Sequence, residues 1–177
     1  ARRGLPVACV IRGALRRPNL TEAARFVSSV PHASGQCYTL GDPERVACLE
    51  ASAGRVAKVA SGASALAHTN HPLANDDLGA LGRWVAEQPA DTVLGMQNSE
   101  ARLAACRLHL AADGDALANL RAALGSHEDD AFPVCRHLAP EQTFSAASTI
   151  FELGKGHPKL HLASSPPCQG EYRTYAL

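Results

Sequence analysis

The sequence predicts an α+β fold, in which helices lie on one face of mostly antiparallel sheets. Short runs of β-type residues, separated by tight turns, cluster over residues 36–59 and again over 134–177. Three stretches with helical periodicity lie between the two clusters. Strands segregated from helices favour α+β over a doubly wound fold. We expect one domain over residues 1–177, since an apolar content of 46% can fill a core.

Charge and composition exclude several classes of protein. The 17 basic and 17 acidic side chains cancel, so the totals show no electrostatic footprint for nucleic acid. No apolar run approaches the roughly 20 residues that cross a bilayer. The six cysteines lack the close pairing of a zinc ribbon, and a chain of 177 residues does not need a disulfide framework. We therefore expect a cytoplasmic protein with reduced thiols and with neither nucleic acid nor membrane as a partner.

The first elements are a helix and a small antiparallel sheet. Apolar residues at i, i+3, i+4 and i+7 predict a helix over 20–30, with Asn19 as its N-cap and Pro31 at its end. Short strands joined by tight turns follow at 37–40, 46–50 and 55–59. A fourth apolar run, 64–67, leads into a polar cluster at 68–71, and Pro72 stops a regular strand there.

The rest of the chain divides into helices and then strands. Helical spacing, with an acidic, Asn or Ser residue near each start, predicts helices over 77–88, 99–110 and 115–124. Strand character returns at 134–137, 144–153, 160–163 and 171–177.

The densest polar cluster is His68-Thr69-Asn70-His71. Such a loop at a strand end is a common place for catalytic groups. His68 and His71 as metal ligands would need a carboxylate, for which Asp76 or Asp77 is available, but their spacing is common by chance. The alternative is structural, with the histidines and Asn70 satisfying backbone groups at the strand exit.

Two further clusters carry polar groups at helical or strand spacing. Ser99 is the expected N-cap of the middle helix, and Arg102 lies one turn later on the same face. A cation at the positive end of a helix is disfavoured, so Arg102 has either a partner outside the helix or an ordinary surface pairing to Glu100, Asp129 or Asp130. Cys135 and His137 share a face of the predicted strand, as a nucleophile and its base or as a buried thiol beside a histidine.

Together these residues resemble the autoproteolytic acyltransferases and hydrolases of the isopenicillin N acyltransferase type. The resemblance covers nearly the whole chain, and the ordered combination is more specific than any one piece. The matching pieces are Gly4-Leu5-Pro6, Arg12, Glu22-Ala23, Glu50, Ala67 to His71, Ser99 with Arg102, Pro133 to His137, Ser145 to Glu152 and Pro166 to Cys168.

The resemblance implies the αββα sandwich of the N-terminal-nucleophile hydrolases. A cysteine freed by self-cleavage would attack a linear amide or an acyl thioester, with its own α-amino group as base. Asn70 would donate to the oxyanion and Arg102 would hold the thiolate or orient the substrate. Ser99, His68 and His71 would contact the substrate, and neither a metal nor another cofactor is expected. The implied partner is a small amide or an acyl-CoA.

One departure from the family pattern is large. The nucleophilic cysteine and its strands should precede Gly4, where the sequence has only Ala1-Arg2-Arg3. We therefore expect a C-terminal portion with incomplete sheets, inactive alone and completed by a segment or chain that carries the nucleophile, with a homo-oligomer also possible. The alternative is a binding module that keeps the fold without catalysis.

Overall fold

The computed structural model describes residues 3–59, 65–77, 79–89, 95–138 and 143–177, without the side chains of residues 80 and 81. The chain divides into two compact units, Ala1–His68 with Pro72–Trp84, and Thr69–His71 with Val85–Leu177. Each unit contains helices and one antiparallel sheet, so the mixed α+β composition is confirmed. That residues 1–177 form one domain stays a prediction.

Two helices begin the first unit. The helix α1 spans Val7–Leu15 and α2 spans Leu20–Ser29. The predicted N-cap of α2 is confirmed, because the side chain of Asn19 accepts a hydrogen bond from the amide of Glu22 at 2.9 Å. The helix α1 was not predicted. It packs on α2 where Gly13 meets the ring of Phe26, since a Cβ on Gly13 would stand 2.3 Å from ring atoms.

The sheet of the first unit has the order β1-β2-β3, with all pairs antiparallel as predicted. Its strands are β1 (Gln36–Gly41), β2 (Val46–Ala51) and β3 (Val56–Val59). Apolar residues of both helices pack against β1 and β2 in one core, which comprises Val10, Ala14, Ala23, Val27, Tyr38, Leu49 and Ala51. The central strand β2 is buried from Ala47 to Ala51, so its Glu50 is a charged residue inside the unit.

The helix predicted over 77–88 is confirmed in part, and the apolar run over 64–67 is not a regular strand where it is described. The helix expected over 77–88 is α3, Gly79–Ala86, and Leu78 and the side chain of Leu81 lie outside the described residues. The apolar run expected over 64–67 forms no regular element at residues 65–67, and Ser64 also lies outside the description.

The second unit pairs a helical hairpin with a second sheet. Its helices α4 (Met96–Leu110) and α5 (Ala116–Leu124) pack on each other, and Asp115 caps α5 as predicted. The strands β4 (Ala147–Glu152), β5 (Lys159–Ser164) and β6 (Arg173–Ala176) form an antiparallel sheet in chain order.

The two faces of this second sheet differ. One face is buried and carries Ser148, Ile150, His161 and Ala163. Cross-strand partners share a face, so Phe151, Leu160 and Tyr175 lie together on the other one. Phe151 there is 58% exposed and Tyr175 45%. This sheet therefore leaves an apolar face open to solvent.

The strand predicted at 134–137 is wrong. The amides of Val134 and Cys135 both donate to the carbonyl of Ser126, at 3.1 Å each, and the amide of Arg136 donates to the hydroxyl of Ser145. The three amides therefore donate to one carbonyl and one hydroxyl, and not to successive residues of a neighbouring strand. The segment is irregular for this reason.

Candidate functional site

The segment Thr69–His71 is fixed by one side chain of α4, the hydroxyl of Ser99. This oxygen accepts hydrogen bonds from the amides of Asn70 at 2.9 Å and His71 at 3.1 Å. The same oxygen lies 2.8 Å from Nδ1 of His71 and 3.0 Å from Oγ1 of Thr69. The single hydroxyl proton of Ser99 can be donated to Oγ1 of Thr69. Thr69 in turn donates to the carbonyl of Ser99 at 2.9 Å. The backbone that carries Asn70 is therefore held at consecutive residues.

The prediction that Ser99 is an N-cap is wrong. The helix α4 begins at Met96, with Gly95 as its N-cap and no side-chain cap. Ser99 lies in the helix and is only 2% exposed. Its hydroxyl is used by residues about 30 positions earlier in the chain, which local spacing does not reveal.

Asn70 and Arg102 meet, although 32 positions separate them in sequence. The guanidinium of Arg102 donates to Oδ1 of Asn70 at 2.7 Å. A guanidinium only donates, so it fixes which end of the carboxamide faces it. The Nδ2 group of the exposed Asn70 then points away from Arg102, and no described residue accepts from it. Asn70 is thus a pre-oriented donor.

A second arginine shares an anchor with the first. Nε of Arg102 and Nη2 of Arg136 both donate to Oδ1 of Asn98, each at 2.9 Å, and Asn98 is 1% exposed. Burial and then the charge of Arg136 lower the pKa of Arg102. The surface pairing of Arg102 to Glu100, Asp129 or Asp130 is wrong, since its described partners are the two asparagines. Two cations held by neutral amides favour binding of an anion.

His68 belongs to the first unit, where it pairs with Glu50. Nε2 of His68 lies 2.6 Å from Oε1 of Glu50. The same carboxylate accepts hydrogen bonds from three consecutive amides, those of Leu73 at 2.5 Å, Ala74 at 2.8 Å and Asn75 at 2.7 Å. Burial alone would raise the pKa of Glu50, but these bonds outweigh it and lower the pKa below its ordinary value.

The structure separates the predicted site residues by environment. Asn70 is exposed, Arg102 is half-buried, and the imidazole of His71 is buried against the Ser99 hydroxyl. His68 has its Nε2 on Glu50 rather than towards solvent. Cys135 is completely buried. Asn70 and Arg102 are therefore the pair best placed to meet a small molecule.

Sequence reasoning missed two residues of this site, Asn98 and Arg136. Both lie inside motifs that it did consider, next to Ser99 and between Cys135 and His137. The available signal was a second arginine inside the motif that contains Cys135 and His137. A buried asparagine as the common acceptor cannot be recognised without the fold.

The α+β fold and a pre-oriented amide beside two arginines fit a class of enzyme that stabilises negative charge on a reacting carbonyl. A family model described as acyl-coenzyme A:6-aminopenicillanic acid acyl-transferase matches residues 1–164. The chain belongs to this family, whose activity is in general that of acyltransferases and hydrolases. No curated protein matches the chain. Among the helices of the described residues, none is long and apolar enough to cross a membrane.

Proposed function

We propose that the protein is the C-terminal part of a cysteine N-terminal-nucleophile amidohydrolase or acyltransferase, in which Asn70 donates to the oxyanion. The observation that carries this proposal is the carboxamide of Asn70, exposed and fixed through its oxygen by Arg102 at 2.7 Å. A donor set in place before the reaction costs no reorganisation when charge develops on the substrate oxygen.

The neighbouring residues support an anionic reacting centre. Arg102 positions Asn70, and together with Arg136 it supplies positive charge near the same amide. An oxyanion, a thiolate or the carboxylate of a substrate would each be stabilised there. Ser99 fixes the backbone of Asn70. That His68 and His71 contact the substrate stays a prediction, because the imidazole of His71 is buried against the Ser99 hydroxyl and Nε2 of His68 is bonded to Glu50.

The nucleophile comes from a segment or chain that adds to these 177 residues. Three thiols have their pKa raised: Cys37 to about 12 by burial and the Cys48 sulfur, Cys106 by burial, and Cys168 by burial and Cys135. Cys48 and Cys135 are completely buried. A thiol must be accessible and ionised to attack a carbonyl carbon, so these five are poor nucleophiles. The sixth, Cys9, is exposed but lies inside the helix α1 and is followed by Val-Ile-Arg rather than by the segment that the family resemblance requires.

The missing layer of an αββα sandwich would cover the open face of the second sheet. Phe151, Leu162 and Tyr175 expose apolar surface on that face. In a sandwich such a face packs against another sheet at about 10 Å. The added segment would therefore supply both the cysteine and the strands over these residues.

The reaction would proceed in two steps. The α-amino group of the added cysteine takes the thiol proton, the thiolate adds to the acyl carbon, the oxyanion collapses with cleavage of the C–N or C–S bond, and the ammonium returns that proton to the leaving group. The same amino group then takes a proton from water or an amine, which adds to the acyl carbon; the bond from the acyl carbon to the enzyme sulfur breaks, and the departing thiolate regains the proton. The substrate class is a linear amide or an acyl-CoA thioester.

The six free thiols support a reducing, cytoplasmic setting.

The test is Asn70→Ala in the enzyme that carries its nucleophile. Hydrolysis of a linear N-acyl p-nitroanilide and release of CoA from an acyl-CoA are both followed. We expect kcat to fall by about 10²–10³-fold, because one oxyanion donor is lost. Asn119→Ala is the matched control, since this half-buried amide donates to the carbonyl of Ala112 and has no other side-chain hydrogen bond among the described residues.

Two outcomes would overturn the assignment. One is a kcat in Asn70→Ala equal to that of the control variant. The other is no turnover with either probe, together with saturable binding of the same amides. That second result would favour the binding module.

A further inference from the structure

Four side chains of the kinds that ligate zinc converge in the second unit, and none of them is assigned to catalysis. They are His127, Cys135, His137 and Cys168, and one ligand atom of each lies within 4.8 Å of the others. Nε2 of His137 is 3.1 Å from Sγ of Cys168, and the rings of His127 and His137 meet edge to face at 5.1 Å. Two thiols and two imidazoles form a ligand set of structural zinc.

We propose that His127, Cys135, His137 and Cys168 bind one zinc ion as a structural Cys₂His₂ site. Tetrahedral zinc holds sulfur at about 2.3 Å and nitrogen at about 2.0–2.1 Å, so ligand atoms in such a site are roughly 3.3–3.8 Å apart. From separations of at most 4.8 Å, closure requires shifts of about 1 Å or less at side-chain ends.

The backbone around the cluster is held by contacts that do not involve a metal. The carbonyl of Ser126, next to His127, accepts from the amides of Val134 and Cys135 at 3.1 Å each. Gly125 approaches Cys168 so closely that a Cβ there would lie 3.4 Å from its Cα. Three separate loop segments are thus brought together at the ligands.

Burial within the cluster is graded. Cys135 is completely buried, whereas His127, His137 and Cys168 are exposed. A metal can therefore enter from solvent and close on the buried sulfur. With four protein ligands the site has no open position, which is typical of structural rather than catalytic zinc.

The site would also stabilise the segment that carries Arg136. This arginine stands between Cys135 and His137 and donates to Asn98, the anchor it shares with Arg102. The segment has no strand ladder of its own. A zinc ion bound by Cys135 and His137 would fix the backbone on both sides of Arg136. A zinc ion here would differ from the expectation of a metal-free protein, and the proposal does not depend on the proposed reaction.

The test measures metal rather than activity. The full chain is purified with reduced thiols, stripped with a chelator, and given Zn²⁺ or Co²⁺. We expect about one zinc per chain, a rise in Tm on adding zinc, and with cobalt the visible bands of tetrahedral Co²⁺ plus near-ultraviolet thiolate charge transfer.

Exposed ligands are chosen for substitution, because their loss should not prevent folding. Cys168→Ala combined with His127→Gln should abolish stoichiometric zinc and the thiolate band. Cys9→Ser and His157→Gln are controls outside the cluster, both exposed, and should leave the metal content unchanged.

The proposal is overturned if the reduced protein retains far less than one zinc per chain. It is overturned as well if the double variant binds as much zinc as the controls. A Cys135–Cys168 disulfide that persists in the reduced preparation would be a third contrary result, since it removes both sulfur ligands.

Discussion

Glu50 and Ser99 solve the same structural problem with different chemistry. Each is buried, at 5% and 2% exposure, and each accepts hydrogen bonds from consecutive backbone amides of an irregular segment. Glu50 does so in the first unit, for residues 73–75, and Ser99 in the second, for residues 70 and 71. One anchor is ionised and the other is neutral.

The difference is visible in how the acceptor capacity is used. Each oxygen of Glu50 takes two donors, so the carboxylate is fully engaged by His68 and the three amides. Hydrogen bonds to an ionised acceptor are roughly twice as strong as neutral ones. Ser99 accepts from two amides and has one proton to give. The charged anchor should therefore contribute more stability and also depend on pH.

The largest effect should come from Glu50→Ala. The change leaves three amides and His68 without their common acceptor in a buried place. We expect a loss of about 3–5 kcal/mol in the free energy of unfolding, as for breaking a buried charged pair. Urea unfolding followed by circular dichroism measures it. Glu171→Ala, on an exposed glutamate, should change stability by less than about 0.5 kcal/mol; a Glu50→Ala loss that small would contradict the comparison.

A smaller effect is expected from Ser99→Ala. Two amides and the Thr69 hydroxyl lose a neutral partner, at about 1–3 kcal/mol for unsatisfied buried groups. Ser29→Ala is the control, because its exposed hydroxyl bonds only the carbonyl of Phe26. Amide hydrogen exchange at Asn70 and His71 should accelerate in Ser99→Ala alone. If Ser99→Ala cost as much as Glu50→Ala, charge would not be the distinction between the anchors.

The sequence was informative where structure is local. The helix α2 with Asn19 as its cap, the strands β1 to β3, and α5 behind Asp115 follow from spacing and capping within a few residues. The helix α1 was missed because it contains Gly13 and β-branched residues, which have low helix propensity. Contact with Phe26 in α2 compensates for this, and such a contact is tertiary.

The site was predictable only in part, for the same physical reason. That Asn70 and Arg102 matter came from the family resemblance, because no spacing rule joins positions 32 apart. The periodicity at 134–137 suggested a strand, but the Ser126 carbonyl binds two successive amides and prevents one. No local pattern reveals that Glu50 serves amides 23 to 25 positions later.

The smallest expected effect is the pH dependence that separates the two anchors. The pKa of Glu50 is lowered in the folded protein, so the unfolded chain binds its proton first as the pH falls. The stability contributed by its charge is then full above the ordinary value of 4.5 and is lost as the pH drops through the folded pKa. Urea unfolding measures the difference in the free energy of unfolding between the wild type and Glu50→Gln. We expect this gap to narrow from pH 5 to about pH 3.5. The narrowing should be smaller than the whole loss of stability in Glu50→Ala. The gap between the wild type and Ser99→Ala should stay constant over this range, which lies below ordinary histidine titration. Equal narrowing of both gaps would mean that the ionisation of Glu50 does not distinguish the anchors.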